Sequence, residues 1–311
     1  MRILLTGGSG MVGRNLREHP AATQFEIIAP ESSELDLLDR NSVAQYIRKL
    51  RPHLVIHAAG KVGGIQANLA DPVGFLVDNS LMGIHVIQEA SQAGVNHCIN
   101  LASSCIYPRH AKNPLQEKQI LTGELEPTNE GYALAKISAV RLCEYIRQSD
   151  ATKAYTSLIP CNLYGRYDKF DPASSHMIPA VIRKIHEARQ AGLPSVEIWG
   201  DGEARREFMY SGDLADCVFT MVEKMLLGES VPPLMNVGIG VDYSINEYYH
   251  AVAEVIGFQG TFRHDLDRPV GMHQKLIDSS QIHGIGWSAN TSLRAGIEKT
   301  YEYFLRESKN G

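Results

Sequence analysis

The sequence predicts an α/β protein built on a doubly wound parallel sheet, with a second, smaller α/β domain. Three observations carry this expectation. Apolar residues 3–6 form a strand that runs into Gly7, Gly10 and Gly13 and then into a helical pattern from Arg14. Apolar strands go on alternating with helical patterns to about residue 165, the signature of parallel βαβ units. One strand ends in Ala58-Ala59-Gly60, and small residues leave room at the carboxyl edge of the sheet, where ligands bind.

The first turn reads Gly-x-x-Gly-x-x-Gly, one residue away from the spacing of standard dinucleotide sites. The steric logic is shared. Gly7 permits the tight turn, Gly10 lets backbone approach a pyrophosphate, and Gly13 lets the helix pack on the strand. The helix N-terminus attracts the phosphates. Residues 25–29 form the second strand. After it, Glu31 can hold a free ribose 2′-hydroxyl, which favours NAD. Ser32 and Ser33 can instead donate to a 2′-phosphate, which favours NADP, and both readings stand at this level. Asp36 is placed to reach adenine, and Asp39 to cap a helix over residues 42–48. A third strand covers 54–60. The glycine-rich loop 61–65 follows, then a long helix from about 74 to 92 that contains Asn79. Residues 98–104 supply the next strand and loop, with Ser103 at the strand's carboxyl end.

Tyr132 and Lys136 open a helical run that reaches residue 147. Residues four apart share one helix face. A cation beside a phenol favours the phenolate, so the pair is expected to bring Tyr132 down from about 10 and let it exchange a proton near neutral pH. A bare Tyr-x-x-x-Lys is more often two surface residues. Here the glycine turn and Ser103 give it a context.

Past residue 165 the chain turns polar and loop-like. Helices are expected near 179–191, 210–227 (capped by Asp213), 246–256 and 292–306, with strands near 196–199 and 234–238. Residues 1–165 with a return segment at about 208–238 form the expected nucleotide-binding domain. Residues 166–207 and 239–311 form the other. Trp199 offers an aromatic wall, and Arg206, beside Arg205, a planar fork for pyrophosphate.

Composition narrows the class. A net charge of −5 over 311 residues leaves no basic footprint for nucleic acid. Cys98, Cys105, Cys143, Cys161 and Cys217 lack metal-like or disulfide-like spacing and read as mostly buried thiols in a reducing compartment. No apolar run reaches membrane length, and a strand starting at Arg2 leaves no room for a signal peptide. A soluble, cytoplasmic protein is expected.

The glycine turn, Ala58-Ala59-Gly60, Ser103 and Tyr132-x-x-x-Lys136, in that order, resemble the extended short-chain dehydrogenase/reductases acting on nucleotide sugars. Lys61-Val62-Gly63-Gly64-Ile65 and Ser103-Ser104-Cys105-Ile106-Tyr107-Pro108 narrow the resemblance to the GDP-L-fucose synthase family. So do residues 126–130, 162–165, 175–179 and 206–208, and the likeness extends to at least Asp242. The resemblance implies a Rossmann sheet, NADPH, and a GDP-4-keto sugar that is inverted at C3 and C5 and then reduced at C4. It also implies a homodimer formed through the helices near 74–92 and 132–147. By position, Tyr132 protonates O4, Lys136 supports it and binds the nicotinamide ribose, and Ser103 hydrogen-bonds O4. Cys105 is the implied base of the epimerisation and His176 its acid. Cofactor contacts are implied for Gly7, Gly10, Met11, Val12, Gly13, Ser32, Asp36, Leu37, Ala58, Ala59, Asn79, Leu101, Lys136, Asn162, Leu163 and His176. Substrate contacts are implied for Lys184, Trp199, Arg206 and Lys275.

Two departures qualify the resemblance. Ser9 and Ser32 stand where some members carry arginines for the 2′-phosphate, and Val270 stands where the family has an aspartate. Val270 keeps a second reading open: another GDP-4-keto sugar, such as the 3,6-dideoxy sugar leading to colitose or a 6-deoxy-heptose. A non-catalytic nucleotide-binding regulator on the same fold is a third reading. The intact Ser103, Tyr132 and Lys136 weigh against it.

Overall fold

The computed structural model describes residues 1–171, 175–267 and 272–310. Strands β1 (Arg2–Thr6), β2 (Glu26–Ile28), β3 (Leu54–His57), β4 (His97–Leu101) and β5 (Ala154–Pro160) alternate with helices α1 (Met11–Glu18), α2 (Arg40–Leu50), α3 (Ile65–Ala70), α4 (Pro72–Gln92) and α5 (Glu130–Ser149). The chain continues through β6 (Asn162–Tyr164), α6 (Met177–Gln190), β7 (Ser195–Trp199), β8 (Arg205–Arg206), β9 (Phe208–Tyr210), α7 (Ser211–Leu226) and β10 (Leu234–Val237). Six strands form one parallel sheet in the order β10-β5-β4-β3-β1-β2. The chain leaves β1 towards β2, then crosses to β3 on the other side. The switch point therefore lies between β1 and β3, whose carboxyl ends carry Gly7 and Ala58.

Alternating side chains along each strand explain why both faces need helices. Ile3, Leu5, Leu54, Ile56 and Ile99 join one core with Leu214, Val218 and Val222 of α7. Leu4, Val55, Cys98 and Tyr155 face the other way, against Val43 and Ile47 of α2 and Val86 and Ala90 of α4.

The remaining elements are β11 (Tyr243–Ser244), α8 (Ile245–Ile256), β12 (Thr261–Asp265), β13 (Gln274–Lys275), α9 (Ser280–Gly284) and α10 (Leu293–Asn310). A separate core gathers Ile178, Ile182 and Ile185 of α6, Val196 and Ile198 of β7, Tyr248 and Val252 of α8, and Phe304 of α10. A small sheet, β11-β8-β13, runs beside it.

Several expectations are corrected. The helix at 42–48 is longer, Arg40–Leu50, although Asp39 does cap it by accepting from the Asn41 amide at 2.9 Å. The short α3 was not foreseen. Asp213 does not cap α7, which starts after Tyr210 with no side-chain cap. Its buried carboxylate is claimed by Thr291, whose N–H (3.1 Å) and hydroxyl (2.8 Å) donate to it from the segment packed alongside. Four of the five cysteines are buried, and Cys105 is partly exposed.

Candidate active site

A single cleft of about 1330 Å³ runs from the glycine turn to α6 and β8. At its floor Gly7 has φ +75°, and a Cβ there would lie 2.7 Å from the Ala59 backbone. A Cβ on Gly13 would lie 2.1 Å from the Gly7 carbonyl oxygen. Neither position tolerates a side chain, so bare backbone and the N-terminus of α1 face the cleft. That cradle suits a dinucleotide pyrophosphate. Met11, Val12, Ser32, Asp36, Leu37, Ala58 and Ala59 continue the same wall. Glu31, the residue that would have favoured NAD, is not part of it; its N–H donates to the Glu34 carboxylate at 2.9 Å.

Further along stand Leu101, Ser103, Cys105, Tyr132, Lys136, Asn162, Leu163, His176, Lys184, Trp199 and Arg206. Ser103 ends the loop after β4, and its hydroxyl accepts from the Cys105 amide at 3.3 Å. Tyr132 lies in the first turn of α5, with the Phe75 ring edge-on to it at 6.4 Å between centroids. Lys136 donates to the Leu101 carbonyl at 2.9 Å, with its Nζ 5.8 Å from the Tyr132 ring centre. Burial pushes the Lys136 ammonium down to about 8.

The expectation of an acidified Tyr132 is reversed. Burial, and then the charge on nearby Cys105, push the phenol well above its ordinary value, while a hydrogen bond from Ser103 pulls the other way. Desolvation outweighs the lysine because the ammonium is turned to the Leu101 carbonyl. His176 is open to the cleft, yet the surrounding protein and the Lys169 cation hold its imidazole below the usual range.

The far end is built from the second core. Lys184 of α6 donates to the Glu197 carbonyl, and burial lowers its ammonium. Trp199 is 56 % exposed, a cleft wall rather than a core residue. The adjacent arginines separate cleanly. Arg205 is bound by Asp242 (2.9 Å) and Glu247 (3.3 Å), whereas Arg206 lines the cleft. Glu207, fully buried, fixes this corner. Its carboxylate accepts from the N–H groups of Ile239 (2.7 Å), Gly240 (2.8 Å) and Ile277 (3.0 Å), and burial pushes it up to about 7.

Two residues expected at the cofactor and the substrate sit just behind the lining. Asn79 is buried and does not line the cleft. Its amide donates to the carbonyls of Phe75 (2.7 Å) and Lys61 (3.1 Å) and accepts from the Lys61 N–H (2.8 Å), so it shapes the 60–64 loop. Lys275 is also off the lining, but its Nζ lies 3.7 Å from the Cys105 sulfur. Val270 lies outside the described residues. Sequence reasoning missed Asn129, whose Nδ2 lies 3.3 Å from the same sulfur.

An open parallel sheet with a phosphate cradle at its switch point and a Ser–Tyr–Lys set beside it defines a nucleotide-dependent enzyme of the short-chain dehydrogenase/reductase type. The chain belongs to the NAD dependent epimerase/dehydratase family, whose model matches residues 3–238. It is 51 % identical over 310 residues to GDP-L-colitose synthase of Yersinia pseudotuberculosis, covering 100 % of both chains. It is 50 % identical over 304 residues to GDP-L-fucose synthase of Azorhizobium caulinodans, covering 98 % of this chain and 96 % of that one. Among solved structures, GDP-mannoheptose C4 reductase from Campylobacter jejuni with NADP bound superposes with a TM-score of 0.87. It is 29 % identical and covers 98 % of each chain.

Proposed function

We propose that this enzyme takes GDP-4-keto-6-deoxy-D-mannose, inverts C3 and C5 through Cys105 and His176, and reduces the C4 ketone through Tyr132 with NADPH, giving GDP-L-fucose. One observation carries the reading: Cys105 and His176 share a single cleft with Ser103, Tyr132 and Lys136. Relatives named for GDP-sugar synthesis over the whole chain support the substrate class. The side-chain-free cradle at Gly7 and Gly13 fits NADPH, which supplies the hydride to C4 when bound.

The chemistry follows from one ketone. It acidifies the hydrogens on both neighbouring carbons. Cys105 takes a proton from one face, and the negative charge collects on O4. Ser103 and Tyr132 are the donors placed to stabilise it. His176 delivers a proton to the opposite face. Its environment makes the imidazolium a stronger acid, although less of it is present at neutral pH. Tyr132, kept protonated by burial, still carries the proton that O4 needs when the hydride arrives. Lys136 is placed to bind the nicotinamide ribose. In this reading Lys184, Trp199 and Arg206, which line the far end of the cleft, hold the GDP end.

A second reading is conversion of the 3,6-dideoxy sugar to GDP-colitose, because 51 % and 50 % identity do not separate the two relatives. In that substrate C3 carries no stereocentre, so only C5 is inverted. Incubating the enzyme with each GDP-4-keto sugar and NADPH in deuterated water decides. Oxidation of NADPH with the 6-deoxy-mannose derivative, and deuterium at both C3 and C5, is expected. Turnover with the dideoxy sugar alone selects the second reading. No turnover with any keto sugar sinks both.

The division into residues 1–165 with about 208–238 for the cofactor, and 166–207 with 239–311 for the sugar nucleotide, belongs to the same reading. So does a cytoplasmic homodimer. Val73, Val77, Leu134 and Tyr145 of α4 and α5 are exposed, and their apolar surface supports pairing through those helices. Analytical ultracentrifugation tests the dimer. Among the described residues, no helix is long and apolar enough to cross a membrane.

A further inference from the structure

We propose that Lys275 and Asn129 are positioning residues that hold the Cys105 sulfur as a thiolate, ready to take a proton from substrate carbon. The inference rests on the reading of Cys105 as the epimerisation base and adds to it what sets that base up. The Lys275 ammonium lies 3.7 Å from the sulfur and the Asn129 Nδ2 3.3 Å. Among the described residues both polar side-chain contacts to the sulfur are donors. A thiol would have to aim its own S–H at an acceptor, whereas the two groups that face the sulfur here present N–H. A thiolate accepts from both groups and faces a full positive charge.

The surroundings show that these contacts are built in. Asn129 occupies the N-cap position of α5, where an asparagine ordinarily accepts a helix N–H. Here its side chain makes no cap. The amide nitrogen turns to Cys105, while Oδ1 stays buried without a partner. Lys275 is fixed through its own carbonyl and the chain just after it. Its carbonyl accepts from the Glu207 N–H at 3.2 Å, and the Glu207 carboxylate accepts from the N–H of Ile277 two residues on. The Lys275 ammonium reaches the edge of the cleft at the Cys105 sulfur.

In the step itself, the thiolate lone pair forms an S–H bond as the carbon–hydrogen bond breaks. The electron pair of that bond moves into the enolate and its charge onto O4. Cys105 becomes a neutral thiol and no external oxidant or reductant is needed.

The test is alkylation of full-length, NADP-loaded enzyme by iodoacetamide at pH 7, with Cys105 followed by peptide mass spectrometry. The other four cysteines are buried, which makes Cys105 the accessible thiol. Lys275→Met is expected to slow its alkylation severalfold, because the loss of thiolate outweighs the greater nucleophilicity of the thiolate that remains. Lys275→Arg should restore most of the rate, and Asn129→Ala should slow it severalfold. Disruption of the fold would do the opposite, exposing the sulfur and speeding the reaction. Alkylation of Lys275→Met at the parent rate or faster overturns the proposal. The function of Cys105 is read separately: undiminished deuterium exchange in Cys105→Ser would overturn its assignment as base while leaving the alkylation result intact.

Discussion

Lys136 stands one helical turn beyond Tyr132 on α5, but its ammonium donates to the Leu101 carbonyl at 2.9 Å and lies 5.8 Å from the phenol ring centre. The two groups thus share a face without a direct hydrogen bond. Lysine fixes the floor of the cleft, and tyrosine remains a protonated donor. Tyr132→Phe keeps the ring and its edge contact with Phe75 while removing the proton. The expected result is a fall in ketone reduction of about 10²–10⁴-fold, the usual range for a general acid, with NADPH affinity nearly unchanged. Stopped-flow reduction and NADPH fluorescence titration measure the two halves, and normal turnover would remove Tyr132 from the mechanism.

Gly13→Ala probes the cradle. The new Cβ would sit 2.1 Å from the Gly7 carbonyl oxygen, a backbone atom that can move only if the turn opens. Overpacking of this kind costs about 1–3 kcal/mol in fold stability, and opening the turn also spoils its approach to pyrophosphate. A lower melting temperature together with at least tenfold weaker NADPH binding, about 1.4 kcal/mol, is expected by differential scanning fluorimetry and titration. Parent-like cofactor affinity would mean that the turn does not hold the phosphates.

These two sites differ in how they showed themselves. The glycine turn was legible because its requirement is local: a tight turn and a helix meeting a strand. Tyr132 and Lys136 were legible as a pair, but not their electrostatics. Whether a lysine faces a phenol or a carbonyl depends on β4, which supplies Leu101 from far along the chain. Asn129 was hidden because an asparagine before a helix reads as its cap. Only the folded loop at Cys105 reveals the different partner. Asp213 misled for the same reason, being an acid in the first turn of a helix whose real partner, Thr291, is remote. The sheet was readable from apolar strands of ordinary length. The six-residue α3 was too short to show a helical period.

Ser32 lines the cleft, while Glu31 does not. Ser32→Glu would place a carboxylate against a 2′-phosphate. At an exposed position such repulsion is worth up to about 1 kcal/mol, so the KM for NADPH should rise severalfold with little change for NADH. Equal effects on the two cofactors in steady-state assays would place Ser32 away from the 2′-phosphate.

His57 ends β3, fully buried, with Nδ1 2.8 Å from the Thr6 hydroxyl oxygen. Burial, and then the Lys136 cation, push it down to about 3. The folded protein therefore keeps this imidazole neutral, while the unfolded chain takes up a proton below about pH 6.5. Since the unfolded state then binds more protons, stability falls as pH drops from about 6.5 towards 3, by up to ~1.4 kcal/mol per pH unit. Above about pH 7 the group contributes no slope. His57→Gln removes this titration. Whatever its stability at pH 7.5, the variant's loss between pH 6 and pH 5 should be smaller than that of the parent by about 1 kcal/mol. Urea unfolding of both proteins at these pH values measures the difference. Parallel losses would show that His57 carries its proton in the folded state, which would also place a second cation beside Lys136.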